Sequence, residues 1–279
     1  MSRVHWLAVP VIAAFVLCAP AGAQELWEAP ASESGSALAS DPGAGARLAP
    51  SQSDPDFFFG RPVFTLTLRM GAFAPRAGSE FHEFAFERFT MSRGDLTAFT
   101  GGVEGAIWLG NHAEINLALD GAGVTRETEY REFVEELGGG AVAPIRQNTR
   151  FSQGPALTLG FRFFPLERGE ELSQHVWVPR TVAPFTSIGI GLTGYAVEQW
   201  GDFVDEGDNS IFTEEFSADG ASWVLYLGGG LDITLRPQVA LVLDGRYSWG
   251  RDRMTGDFFR FEPIDLAGLR LTAGLSYRF

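Results

Sequence analysis

The sequence contains no lysine, so all of its basic residues are arginine. Against 21 Lys+Arg stand 35 Asp+Glu, and the formal net charge is -14. That acidic balance excludes a general role on nucleic acid, where cations must neutralise phosphates. Cysteine is nearly absent too. The single one, Cys18, lies in an N-terminal segment expected to be removed, which excludes disulfides and cysteine metal sites from the rest of the chain. Long apolar runs are the third absence. No segment after residue 58 offers the about 20 consecutive apolar residues that a transmembrane helix needs.

The N-terminus "MSRVHWLAVPVIAAFVLCAPAGA" has a short basic start with Arg3, an apolar stretch from Trp6 to Cys18, and the small residues Ala21-Gly22-Ala23. This is the pattern of a secretory signal peptide, residues 1–23, cut before Gln24. A membrane anchor is the alternative, but Pro10 and Pro20 interrupt the run and it is short for a span. Leu17 before Cys18 is too large for a good lipoprotein-processing site. Residues 24–58 are dominated by Ala, Ser, Pro, Gly and Asp without apolar period, which predicts a disordered periplasmic leader. Residues 59–279 form the remaining domain.

There the apolar period is 2. In the last segment Leu269, Leu271, Ala273, Leu275, Tyr277 and Phe279 share one face, and Arg270, Thr272, Gly274, Ser276 and Arg278 share the other. Such alternation is a strand with one greasy side. The same pattern appears in "VFTLTLRMGAF", "TAFTGGVEGAIWLG", "AEINLALDGAG", "PALTLGFRFF", "FTSIGIGLTGYAVEQ", "SWVLYLGGGLDITLRP" and "QVALVLDGRYSWGR", giving eight strands in all. Short links follow the second, fourth and sixth strands. Long polar links, at about residues 75–95, 126–149, 198–220 and 251–265, follow the others. In the second of these, "TEYREFVEELGGG" sets Phe133 and Leu137 at helical spacing, which predicts a short surface helix ended by glycine.

A soluble sandwich also alternates, so the faces decide. The polar faces hold Arg69, Glu104, Glu114, Asp120, Arg162, Asp232, Asp244, Arg246, Arg270 and Arg278, five acids and five arginines in an otherwise acidic chain. Balanced charge on one face fits a packed ionic lumen, where desolvated charges need opposite partners. The other faces are almost free of charge, with Trp223, Trp249, Tyr247, Tyr277 and Phe279 towards strand ends, as in a lipid band with aromatic girdles. The expected fold is all-β: an eight-stranded antiparallel transmembrane barrel, too narrow for an open solute channel.

With its ending "GLRLTAGLSYRF", this pattern resembles the small outer-membrane β-barrel families of the OmpX, OmpW and OmpA transmembrane-domain type. The resemblance covers about residues 59 to 279. It implies an outer-membrane location, contact with outer-membrane lipid and lipopolysaccharide, and recognition by the barrel-assembly machinery. The assembly signal would fall on Phe279, Tyr277, Leu275 and Ala273. A monomer is expected, without cofactors.

Catalytic chemistry has little to rest on. After the signal the histidines are His82 in the first loop, His112 in a periplasmic turn and His175 in a long turn, none beside a serine in a recognisable pattern. They are read as surface histidines, and the chain as a non-enzyme. The stretch from Glu198 to Asp219 holds eight acids, Glu198, Asp202, Asp205, Glu206, Asp208, Glu214, Glu215 and Asp219, and no arginine. A solvated acidic loop is the ordinary reading. Ca²⁺ or Mg²⁺ held by Asp202, Asp205 and Asp208 is the alternative, although the spacing is not that of an EF-hand. Two functions follow: a barrel whose loops serve envelope stabilisation, adhesion or partner binding, or a conduit for small apolar solutes. Phe73, Val124 and Val197 near the outer rim favour the second. Deleting Phe279 should impair membrane insertion before any surface activity, as measured by the inserted fraction; normal insertion would remove its role as a tag.

Overall fold

The computed structural model describes residues 57–137, 140–173, 175–205 and 207–279. The expected signal peptide and all of the expected leader up to residue 56 lie outside them. The leader boundary at 58 needs correction, because Phe58 is a strand residue, paired with Trp177.

Eight strands form the barrel: β1 (Phe64–Pro75), β2 (Ala98–Trp108), β3 (Ala113–Leu137), β4 (Ala141–Phe163), β5 (Val182–Val204), β6 (Ile211–Arg236), β7 (Val239–Trp249) and β8 (Gly268–Arg278). Each pairs antiparallel with its neighbours in sequence, and β8 closes on β1 with Leu275 opposite Leu68. Within the ring, closure leaves no strand edge unpaired, the condition for a sheet in lipid. The lipid side is apolar all round, with Leu68, Leu117, Leu159, Ile190, Leu225 and Leu271 among its exposed residues. Trp223, Trp249, Tyr277 and Phe279 are likewise exposed on it.

The second and third long links are not loops. β3 and β6 run for 25 and 26 residues, and their partners β4 and β5 for 23 each. About 9–11 residues cross the hydrocarbon, so the remainder stands outside it as two long hairpins joined into one sheet. Period 2 persists along them, but the apolar side changes. On β5, Ile188, Ile190 and Leu192 face lipid, whereas further out Glu198 and Asp202 take that side and Val197 and Phe203 turn inward, both buried. Beyond the membrane the outer face meets water and the apolar side chains belong inside.

The same reversal overturns the helix expected in "TEYREFVEELGGG". Those residues continue β3, where Val134–Leu137 pair with Ala141–Pro144 of β4. Tyr130 is held inside by an edge-on contact with Phe89, ring centres 4.8 Å apart. One-sided burial with strand pairing on the other flank outweighs a weak helical spacing.

The first and fourth links are true loops, and they fold over the bore. The first contains α1 (Glu80–Arg88) and a single 3₁₀ turn (Arg93–Leu96). Phe81, Ala85, Phe89, Met91 and Leu96 from it pack with Met254, Phe258, Ile264 and Leu266 from the fourth. Phe81 lies edge-on to Phe258 at 5.1 Å. Barrel residues Phe73, Phe151, Tyr195 and Val197 complete this core. At the opposite end, Phe58–Phe59, Gly169–Ser173 and Val176–Pro179 form a three-stranded sheet. Its Trp177 is fully buried, edge-on to Trp108 at 5.6 Å.

His82 of α1 is inside the outer core, 2% exposed, and not a surface histidine. Ser79 Oγ lies 2.7 Å from its Nδ1, so a serine neighbour does exist, but both groups are buried away from any open cleft. Burial lowers its pKa to about 4, opposed by Asp265 and assisted by Arg93. The unfolded chain therefore binds this proton near pH 6.5 and the folded one only near 4. The part of the stability that this histidine controls should be constant above about pH 6.5, fall between 6.5 and 4 by up to about 3 kcal/mol, and change no further below. Melting in detergent across this range should show the fall, and His82→Phe should remove that part of it.

Candidate functional site

The polar interior is built by alternation. On each strand the residues facing away from lipid meet those of the other strands across a narrow bore, and nearly all the charged ones are buried. Small residues leave the space. A Cβ at Gly189 would lie 2.5 Å from the Tyr226 ring, so the tyrosine can lie along the wall over β5 towards β4 only because β5 has no side chain there.

Glu104 of β2 is the centre of the first charge cluster. Its Oε2 accepts from Arg69 Nη1 at 2.8 Å, Arg246 Nη2 at 2.7 Å and Asn116 Nδ2 at 2.9 Å. Its Oε1 pairs with Arg162. Asp120 takes Arg69 in a two-point grip, 2.9 Å to Nε and 2.6 Å to Nη2. Asp244 receives Arg246 Nε at 2.9 Å and Arg162 Nη2 at 3.1 Å. Arg162 also donates to Glu114 at 2.8 Å. Two-point pairs of this kind are strong because the fork of the guanidinium matches the carboxylate.

A second cluster lies towards the end of the barrel opposite the long hairpins. Arg278 Nη2 donates to Asp232 at 2.6 Å. The other Asp232 oxygen accepts from Arg168 Nη2 at 3.0 Å, and Arg168 Nη1 reaches Glu114 at 2.6 Å. Arg168 is absent from the sequence-derived set. It comes from the link after β4, turns into the bore, and is sandwiched by Trp108 and Phe164, 3.4 and 4.2 Å from the ring centres. The ten residues expected to face the lumen are thus all inside, and an eleventh joins them. Glu114 ties the two clusters together.

Arg270, the tenth, is the loosest member. It stands 3.5 Å from Asp120 and over the Phe73 ring at 5.3 Å.

The structure does not gather the acidic hairpin into a cation site. Asp202 accepts from Thr213 Oγ1 at 2.7 Å, Asp205 from the Gly207 amide at 2.7 Å and Asp208 from the Ser210 amide at 3.0 Å. Each carboxylate is used by its own turn or strand pair. Among the described residues no three His, Cys, Asp or Glu side chains converge on one point. Glu198 pairs with Arg150 at 3.1 Å, so the stretch is also not purely acidic in its surroundings. His112 and His175 lie at the periplasmic end, the first with Nδ1 2.9 Å from the Phe164 carbonyl.

The expected assembly residues Ala273, Leu275, Tyr277 and Phe279 all face outward on β8. The Phe279 amide donates to Phe64 O at 2.8 Å, and its ring lies 5.7 Å from that of Phe64. The chain end is therefore part of the seam.

Glu104→Ala would leave three buried guanidinium groups facing one another. It should destabilise the barrel by about 3–5 kcal/mol. Arg150→Ala, in an exposed pair, should cost no more than about 1 kcal/mol. The temperature at which each variant loses its folded, fast-migrating form in detergent gels compares them, and equal shifts would contradict a structural network.

No family model matches the sequence, and no curated protein does. Solved structures do. The outer membrane protein OprG from Pseudomonas aeruginosa matches at a TM-score of 0.45 and 12% identity, over 80% of this chain and 99% of that one. A major outer membrane protein from Thermus thermophilus matches at 0.39 and 14%, over 78% and 98%. Neisserial surface protein A matches at 0.37 and 12%, over 77% and 97%. The closed order of eight antiparallel strands with an apolar exterior makes this chain, on its own geometry, a small β-barrel built to face lipid.

Proposed function

We propose that this chain is a non-enzymatic outer-membrane protein that works through its extracellular hairpins, in envelope stabilisation or partner binding. One observation carries the reading: the bore is filled twice over. The ionic clusters occupy its inner part, and the aromatic core under α1 occupies its outer part. What stays accessible is the sheet of β3–β6 beyond the membrane. Its outer face offers Glu127, Glu129, Arg146, Arg150, Glu198 and Trp200 in cross-strand ion pairs and a cation–π contact. Lipopolysaccharide, with its phosphates and sugars, is the neighbour this mixed polar face would meet first.

A second reading has one specific feature in its favour. The outer filling is apolar and is supplied by loops, with Phe73 and Val197 against Phe81 and Phe258. Displacing those loops would open an apolar funnel, as a conduit for small apolar solutes requires. Val124 is partly buried and packs against the same core.

Planar-bilayer conductance and solute uptake into liposomes separate the two. The surface reading expects no steady conductance and no uptake. It also expects that full-length protein, but not a variant with the hairpins trimmed to their membrane portions, restores the detergent resistance of cells lacking the protein. Uptake of apolar solutes that rises when residues 79–96 are deleted would favour the conduit.

A further inference from the structure

We propose that the barrel holds one small inorganic anion of chloride size, between Arg270 and Arg246 at the top of the ionic clusters. The charge balance is the starting point. Among the described residues, six arginines, Arg69, Arg162, Arg168, Arg246, Arg270 and Arg278, are linked in the bore with five carboxylates, Glu104, Glu114, Asp120, Asp232 and Asp244. The arginine that entered from the periplasmic link, Arg168, is what unbalances an otherwise equal set. Its excess is felt at the other end of the network, because Arg168 takes half of Glu114 and half of Asp232 with short hydrogen bonds.

Arg270 is where the shortfall appears. Both oxygens of its nearest acid, Asp120, are gripped by Arg69, and Arg270 is left at 3.5 Å with its Nε unbonded. Directly opposite it in the β7–β8 register is Arg246, a like charge at the position where an opposite one would stabilise the pair. A guanidinium whose one acid partner is held at 3.5 Å and already shared, in a largely desolvated site, is costly enough to recruit a counter-ion.

The space for one exists. A cavity of about 30 Å³ is lined by Arg246, Arg270, Tyr226, Thr158 and Gln153, and by Asp120, whose two oxygens are both taken by Arg69. That is above the 10–15 Å³ or so that a single water requires, and too small for a phosphate or an organic acid. Thr158 is 6% exposed, its hydroxyl has no hydrogen-bond partner, and it lines this cavity beside the unbonded Arg270 Nε. A monatomic anion accepting from the guanidinium and from the hydroxyl would complete both.

The test folds the full chain in detergent with chloride or with gluconate at equal ionic strength and follows thermal unfolding. A saturable rise in melting temperature with chloride, absent with gluconate, is expected for the unaltered protein. Arg270→Gln should abolish the response and melt no lower in gluconate than the unaltered protein does. Thr158→Val, which keeps the volume, should weaken half-saturation by about tenfold. Crystals grown from protein folded in bromide should show an anomalous peak in the cavity bounded by Arg270, Arg246 and Thr158. A chloride response that persists in Arg270→Gln is a general salt effect and overturns the proposal. So does a cavity that holds only water in bromide-grown crystals.

Discussion

The first ionic cluster of the bore depends on one carboxylate, and the rest of the filling is built around it. Glu104 is 1% exposed and surrounded by the guanidinium groups of Arg69, Arg162 and Arg246. Removing any such charge from water costs several kcal/mol, and the attraction inside offsets this only when the geometry is good and the spare lone pairs are used. The four residues sit on β1, β2, β4 and β7, so the cluster spans the barrel as well as bridging the neighbours β1 and β2. A slip of one residue in any of these strands would turn its charge into lipid. The cluster thus selects one register as well as stabilising it, while the lipid-facing residues, being interchangeable greasy side chains, cannot.

The membrane part of this design was legible residue by residue. Because lipid accepts no charge and the narrow lumen accepts little else of size, each strand there carries its own label, and Arg69 and Glu104 read inward while Leu68 and Val103 read outward. The extensions of β3 to β6 were not legible as strands. Once past the headgroups the solvent on the outer face changes from hydrocarbon to water, so Glu198 and Asp202 occupy the side that Ile188 and Ile190 hold below. A reader using one polarity rule along the chain sees the alternation dissolve into an acidic loop at the point where the rule reverses. The same reversal gave Phe133 and Leu137 an accidental helical spacing.

Arg168 was missed for a different reason. It lies in a turn, "FPLERGEEL", where no period marks a face, and only three-dimensional placement between Trp108 and Phe164 reveals that it enters the bore. A hint was present in the flanking aromatics and in the unusual length of that link, since a tight periplasmic turn needs only a few residues. His82 was misread on similar grounds. A histidine in a loop is ordinarily solvated, and the phenylalanines at 81, 84 and 86 were the signal that this loop folds inward.

The two fillings differ in kind, and that difference bears on what the barrel can do. The ionic part is anchored on strands and cross-linked through shared carboxylates, so opening it means separating several buried charges at once. The aromatic part is anchored mainly on two surface loops and is held by dispersion and burial, which are lost gradually as a loop lifts. Any motion of the filling within the native state should therefore begin at the outer mouth and stop at the level of Arg270 and Phe73, where the guanidinium lies over the ring and the chemistry changes. A solute admitted from outside would meet an apolar chamber with an ionic floor. From there the way on is back out, since the strands are paired all round the ring and the far end is closed by the pairs around Glu104 and, beneath them, by Arg168 and Trp177.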